Sequence, residues 1–118
     1  MKLMLIKLSI VLSLAQVALF AVKDSYLNKE KLIKEMQSGG LVLYFRHAST
    51  EKDYADQVNA DVNDGSTQRV LSEKGWHEAV HIGRAMRFHE IPVSKVLSSE
   101  YFRAWQTAWL AFQKYEKN

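Results

Sequence analysis

Residues Leu41-Val42-Leu43-Tyr44-Phe45 form an apolar run without alternation that stops abruptly at Arg46-His47-Ala48, with Gly39-Gly40 before it and Ser49-Thr50 after it. A run of this length between turn residues predicts a short strand buried on both faces, as in a parallel sheet covered by helices. That directs the chain toward an α/β layer. Arg46 and His47 then fall at the C-terminal end of the strand, where ligands gather in open α/β sheets. A guanidinium beside an imidazole suits a phosphoryl group: the planar fork holds two oxygens while a ring nitrogen faces phosphorus. Read alone, the stretch also admits a surface arginine and a histidine that merely caps the strand.

The first 21 residues are set apart by composition. Lys2 and Lys7 precede the uncharged run from Leu8 to Val22, which is the n-region and h-region order of an export signal. Residues 1–21 are therefore expected to be a signal peptide, or an N-terminal anchor if uncleaved, and residues 22–118 a single folded part. The apolar run is shorter than the roughly 20 residues of a usual membrane span. Such a chain is expected to be periplasmic or secreted, and membrane-anchored if the signal stays on. The absence of cysteine excludes a disulfide scaffold. Of 16 lysines and arginines two lie in the leader, leaving 14 against 13 acidic residues, a balance with no electrostatic footprint for nucleic acid.

Downstream the pattern alternates. Asp24 to Gln37 carries apolar residues at helical spacing, with Ser25 as a candidate cap and Gly39-Gly40 as a stop. Thr50 to Thr67 reads as a polar excursion. Ser72 is a good N-cap for a helix through Phe88 that contains Trp76, Ala79, Ile82, Gly83 and Met86, and its two glycines predict close packing on a neighbour. Pro92 ends it. Val93 to Ser98 fits a second strand, and Ser99 caps a last helix from Glu100 to Lys114 with Tyr101, Ala104, Trp105, Ala108, Trp109 and Phe112 on its packing face. Trp76, Ile82, Met86, Trp105, Trp109 and Phe112 are expected to pack on the 41–45 strand. Two strands leave a thin sheet, so an incomplete core and self-association through it are expected.

Arg103 falls in the first turn after the second strand, near the same sheet edge as His47. A cation there opposes the helix dipole unless an anion compensates it, and a bound phosphate would do so. An ion pair with Glu100 or a surface position is the alternative.

Three stretches then combine. Leu43-Tyr44-Phe45-Arg46-His47-Ala48, Gln68-Arg69-Val70-Leu71-Ser72-Glu73-Lys74-Gly75 and Val96-Leu97-Ser98-Ser99-Glu100-Tyr101-Phe102-Arg103-Ala104-Trp105-Gln106-Thr107-Ala108 resemble, in order and spacing, the N-terminal signatures of the histidine phosphatase superfamily. The likeness runs from about Gly39 to Phe112. It implies a three-layer α/β/α fold of the phosphoglycerate mutase type with a parallel-type sheet. It also implies a phosphomonoester hydrolase that works through a phosphohistidine at His47, with Arg46 and Arg103 binding the transferred group. Gln68 and Arg69 are candidates for the pocket wall. No cofactor or metal is implied, because the guanidinium groups perform the electrostatic part.

An exported form resembles small periplasmic phosphatases acting on lipopolysaccharide sugar phosphates, so the expected partner is a phosphorylated small molecule or such a sugar phosphate. Glu100 and Phe102 depart from the proline and small residue common in the family. The family's second histidine and its proton-donating carboxylate lie in a C-terminal half, and His77, His81 and His89 occupy the wrong elements to replace that histidine. The resemblance therefore implies a partial domain over residues 22–118, with an active site that is incomplete or serves as a noncatalytic oxyanion-binding or structural remnant. One motif competes: His77-Glu78-Ala79-Val80-His81 matches the helical pattern of a zinc metalloprotease, with Glu100 as a conceivable third ligand.

Overall fold

The computed structural model describes residues 28–118, so the expected leader at 1–21 lies outside the described residues. The chain divides into two compact units after Met36. What is described of the first is helical and belongs to α1, residues 28–37. The helix stops where expected: Gly39 and Gly40 take φ of 72° and 73°, a left-handed pair incompatible with a continuing helix.

The second unit is a mixed α/β assembly. Its elements are α2 (Glu73–Phe88), β1 (Leu97–Ser98), α3 (Phe102–Phe112) and β2 (Glu116–Lys117), with a 3-10 turn at Gly65–Thr67 inside the polar excursion. β1 and β2 pair in parallel, Leu97 opposite Glu116 and Ser98 opposite Lys117, so α3 is the crossover of a small β-α-β unit.

Local chemistry sets the helix limits. The Ser72 hydroxyl accepts the Gly75 N–H at 3.1 Å, which starts α2 as its sequence predicts. Its end is formed by Glu90 at φ 52° and by the Ile91 N–H, which returns to the Met86 carbonyl at 2.9 Å. α3 starts two residues later than expected, after Tyr101, with no side-chain cap. Gln113 closes it in the left-handed conformation, and its N–H donates to the Trp109 carbonyl at 2.8 Å. Beyond that end Tyr115 stacks on Trp105 with ring centroids 5.7 Å apart, which turns the chain back toward β1.

The core is built from small residues. α2 buries Gly75, Ala79, Gly83 and Met86, a stripe at helical spacing, against α3, which buries Thr107, Ala108 and Ala111. A Cβ on Gly83 would collide with the Ala111 carbonyl, so the missing side chain is what lets the helices approach. Arg87 reinforces the crossing by donating to the same carbonyl at 3.1 Å. Ala48, Leu71 and Ala79 form a second buried cluster, with Leu110 packed against it.

Two expectations are corrected. Leu41 to Phe45 is not a buried strand: all five residues are exposed, Val42 and Tyr44 to 98% and 96%. Its main chain has no ladder partner among the described residues. Pairing of this part of the chain begins only beyond His47, at an antiparallel bridge between Thr50 and Leu71. The described sheet therefore has two strands rather than the several of a three-layer fold. The aromatic packing face is corrected with it. Phe112 reaches Phe45 at 6.0 Å between ring centroids, whereas Trp76 and Trp109 remain about half exposed. The inner face of α2 is the glycine-alanine stripe, one residue round from Trp76.

Gly83→Ala tests the crossing. Alanine raises helix propensity by up to about 1 kcal/mol, but overpacking against the Ala111 carbonyl costs about 1–3 kcal/mol. Urea unfolding is expected to show a net loss of stability, opposite in sign to the same change at an exposed helical site.

Candidate functional site

The segment that carries His47 is held by the main chain of its neighbours. The Ser49 carbonyl accepts the Ser72 N–H at 3.0 Å and the Ser72 hydroxyl at 3.2 Å, and the Ser49 N–H donates to Glu78 Oε2 at 2.9 Å. Gly75 lies so close to this carbonyl that a side chain there would strike it. The Ser49 N–H, with Lys74 contributing less, holds the Glu78 carboxyl below its usual range. The 47–49 stretch is thereby pressed onto the first turns of α2.

A second tether runs to α3. The Ala48 N–H donates to Thr107 Oγ1 at 3.1 Å, and Thr107 Oγ1 donates to the Arg103 carbonyl at 2.7 Å. One hydroxyl thus joins the residue after His47 to the helical turn that begins at Arg103. His47 itself is half-buried, and its Nδ1 lies 2.8 Å from the Ala48 carbonyl. A carbonyl can only accept, so this bond requires hydrogen on Nδ1, which in the neutral ring puts the lone pair on Nε2.

Arg103 is anchored on three sides. Its Nη1 donates to Asp56 Oδ1 at 2.8 Å and to the Arg69 carbonyl at 3.4 Å, and its guanidinium lies 4.8 Å from the centre of the Tyr101 ring. Asp56 Oδ1 also accepts the Arg69 N–H at 2.8 Å. The Arg69 N–H first, then Arg103, keep the Asp56 carboxyl below its usual range. The alternative pairing of Arg103 with Glu100 does not form; Asp56, from the excursion, is its ion-pair partner.

Other expected site residues are placed differently. Gln68 does not line a pocket wall: it is 1% exposed, and its amide clamps the excursion to α3 by donating to the Asp61 carbonyl at 2.6 Å and accepting the Phe102 N–H at 2.9 Å. Arg69 contributes its main-chain groups to the Asp56–Arg103 pair. Arg46 is exposed, and no hydrogen bond or ion pair joins it to a described residue, because the strand that was to position it is absent. His77 and His81 are exposed on α2, while the Glu78 carboxylate between them is engaged by Ser49 and by Lys74 at 3.5 Å. No group of three or more candidate metal ligands occurs among the described residues. Among them, too, no helix is long and apolar enough to cross a membrane.

Asp56, Thr107 and Glu78 were not singled out in these roles by sequence. Thr107 carries a signal in retrospect, since a mid-helix threonine commonly donates to the carbonyl four residues earlier. Asp56 carries none, being one of several acidic residues in a polar stretch.

The lowered Asp56 carboxyl fixes a sign. A group whose folded value lies below its unfolded value of about 3.9 stabilises the fold above that pH and loses the contribution as pH falls through the folded value. At neutral pH the partly exposed pair is worth about 1 kcal/mol at most. Chemical denaturation of wild type and Asp56→Asn is expected to show wild type the more stable at pH 7, the gap closing below about pH 4. No family model, curated protein or solved structure matches this chain.

Proposed function

We propose that the chain handles phosphomonoesters through a phosphohistidine at His47, as its resemblance to histidine phosphatases implies. By the same resemblance Arg103 and Arg46 are the cationic partners of the transferred group, of which Arg103 is the one held by neighbouring residues. The observation that carries this reading is the bond from His47 Nδ1–H to the Ala48 carbonyl, which directs the basic lone pair to Nε2. The Thr107 bridge supports it by tying the histidine segment to the helix that bears Arg103.

In this reading Nε2 attacks phosphorus, the bond from phosphorus to the ester oxygen breaks, and the departing alkoxide takes a proton from solvent. Water then attacks phosphorus, the P–N bond breaks and inorganic phosphate leaves. The arginines neutralise charge on the non-bridging oxygens, which is the main electrostatic requirement of phosphoryl transfer. Turnover is expected to be slow, because the departing alkoxide takes its proton from solvent rather than from a positioned acid. The substrate class is a phosphorylated small molecule or a lipopolysaccharide sugar phosphate met after export, in a phosphoglycerate mutase-like setting.

A second reading, oxyanion binding without transfer, is favoured by one observation: Arg103 is already paired with Asp56. Incubation with a small phosphoryl donor such as phosphoramidate, followed by mass spectrometry, separates the two. An acid-labile phosphate on His47 is expected in wild type, none in His47→Ala, and a clearly lower yield in Arg103→Ala. Phosphate binding with an unlabelled His47 would replace the first reading by the second.

A further inference from the structure

Asp56 Oδ1 receives two donors at once, the Arg103 Nη1–H and the Arg69 N–H, each at 2.8 Å. Two donors converging on one carboxylate oxygen form the kind of cradle that a phosphoryl oxygen also fits. The guanidinium has contacts besides Asp56: it also rests on the Tyr101 ring and bonds the Arg69 carbonyl. Asp56 belongs to the excursion between Thr50 and Leu71, whose inner turn is tied independently by the Gln57 N–H to the Thr67 carbonyl at 2.9 Å.

We infer that Asp56 is the specificity-determining residue of the Arg103 anion site, an internal carboxylate that a ligand must displace, so that phosphoryl dianions enter and monocarboxylates do not. The inference rests on the oxyanion reading above. A tethered group acts at an effective concentration in the millimolar range, so a free carboxylate of the same charge and the same two-donor geometry gains nothing by exchange. A phosphate monoester carries nearly two charges at neutral pH and has three terminal oxygens, so it can take both donors and keep further oxygens free. Asp56 thereby sets a charge threshold for entry while keeping the arginine in place between ligands.

Calorimetric titration of wild type, Asp56→Asn and Asp56→Ser with inorganic phosphate and with acetate at pH 7.5 tests this. The asparagine amide oxygen still accepts the Arg69 N–H, and the serine variant serves if that amide perturbs the loop. Both variants are expected to bind phosphate roughly fivefold more tightly than wild type, the upper range for a partly exposed ion pair, and to acquire acetate binding that wild type lacks. In wild type itself, the Asp56 carboxyl carbon resonance is expected to shift on phosphate addition at pH 7.5.

Phosphate binding to wild type with no tightening in either variant, or with an unmoved Asp56 resonance, overturns the role of Asp56 and leaves the oxyanion reading standing. So does acetate binding to wild type as strong as phosphate binding. Phosphate binding to none of the three proteins overturns the oxyanion reading itself, and this inference with it.

Discussion

The contact on which the second unit depends is the seat of the Ser49 carbonyl on the N-terminal turns of α2. It is made possible by the absence of a side chain at Gly75 and is fastened by Ser72 from one side and Glu78 from the other. The consequence is positional. An extended segment with no sheet partner is brought into the core at Ala48, and His47 is fixed at the boundary between exposed chain and packed interior. A helix N-terminus ordinarily offers unsatisfied N–H groups. Here Ser72 satisfies one of them while its own N–H and hydroxyl hold the incoming segment at the Ser49 carbonyl.

Polar contacts therefore do much of what a larger apolar core does elsewhere. Among the described residues Gln68 is the largest fully buried side chain, and its amide spans from the excursion to the first residue of α3. Thr107 spans from Ala48 to Arg103. Each replaces water by a geometrically matched partner, which is the condition under which a polar group can be buried without a large penalty. Each also fixes distances more narrowly than apolar contact would, since hydrogen bonds weaken steeply off line. In this small unit the residues that position the candidate site are the same ones that close the fold.

What could be read from the residues followed from local chemistry. The Ser72 cap, the Gly39-Gly40 stop, the end of α2 before Pro92 and the close approach at its glycines are decided within one or two turns, and the structure bears them out. The 41–45 strand was not decidable that way. Its composition is that of a buried strand, but a strand exists only with a partner's main chain, and no described residue supplies one. The expected buried side of α2 holds at Ala79, Gly83 and Met86 but not at Trp76, for a related reason. Trp76 and Ile82 carry the larger hydrophobicity, but helices cross most closely where side chains are smallest, so Gly75, Ala79 and Gly83 face inward. The expected proximity of Arg46 and Arg103 required a sheet edge to line them up, and only the His47–Ala48 segment is brought to α3.

Arg103 shows how a correct physical expectation can meet an unforeseen answer. A cation in the first turn of a helix is adverse to the dipole and demands an anion nearby. The residues near it in sequence offered Glu100, and the resemblance offered a phosphate. The structure satisfies the demand with Asp56, 47 positions away. That choice has a physical logic, since a carboxylate brought in on a loop is restrained enough to compensate the charge yet remains partly exposed, with a third of its side-chain surface open to solvent. An anion held in this way stabilises the helix start without sealing it.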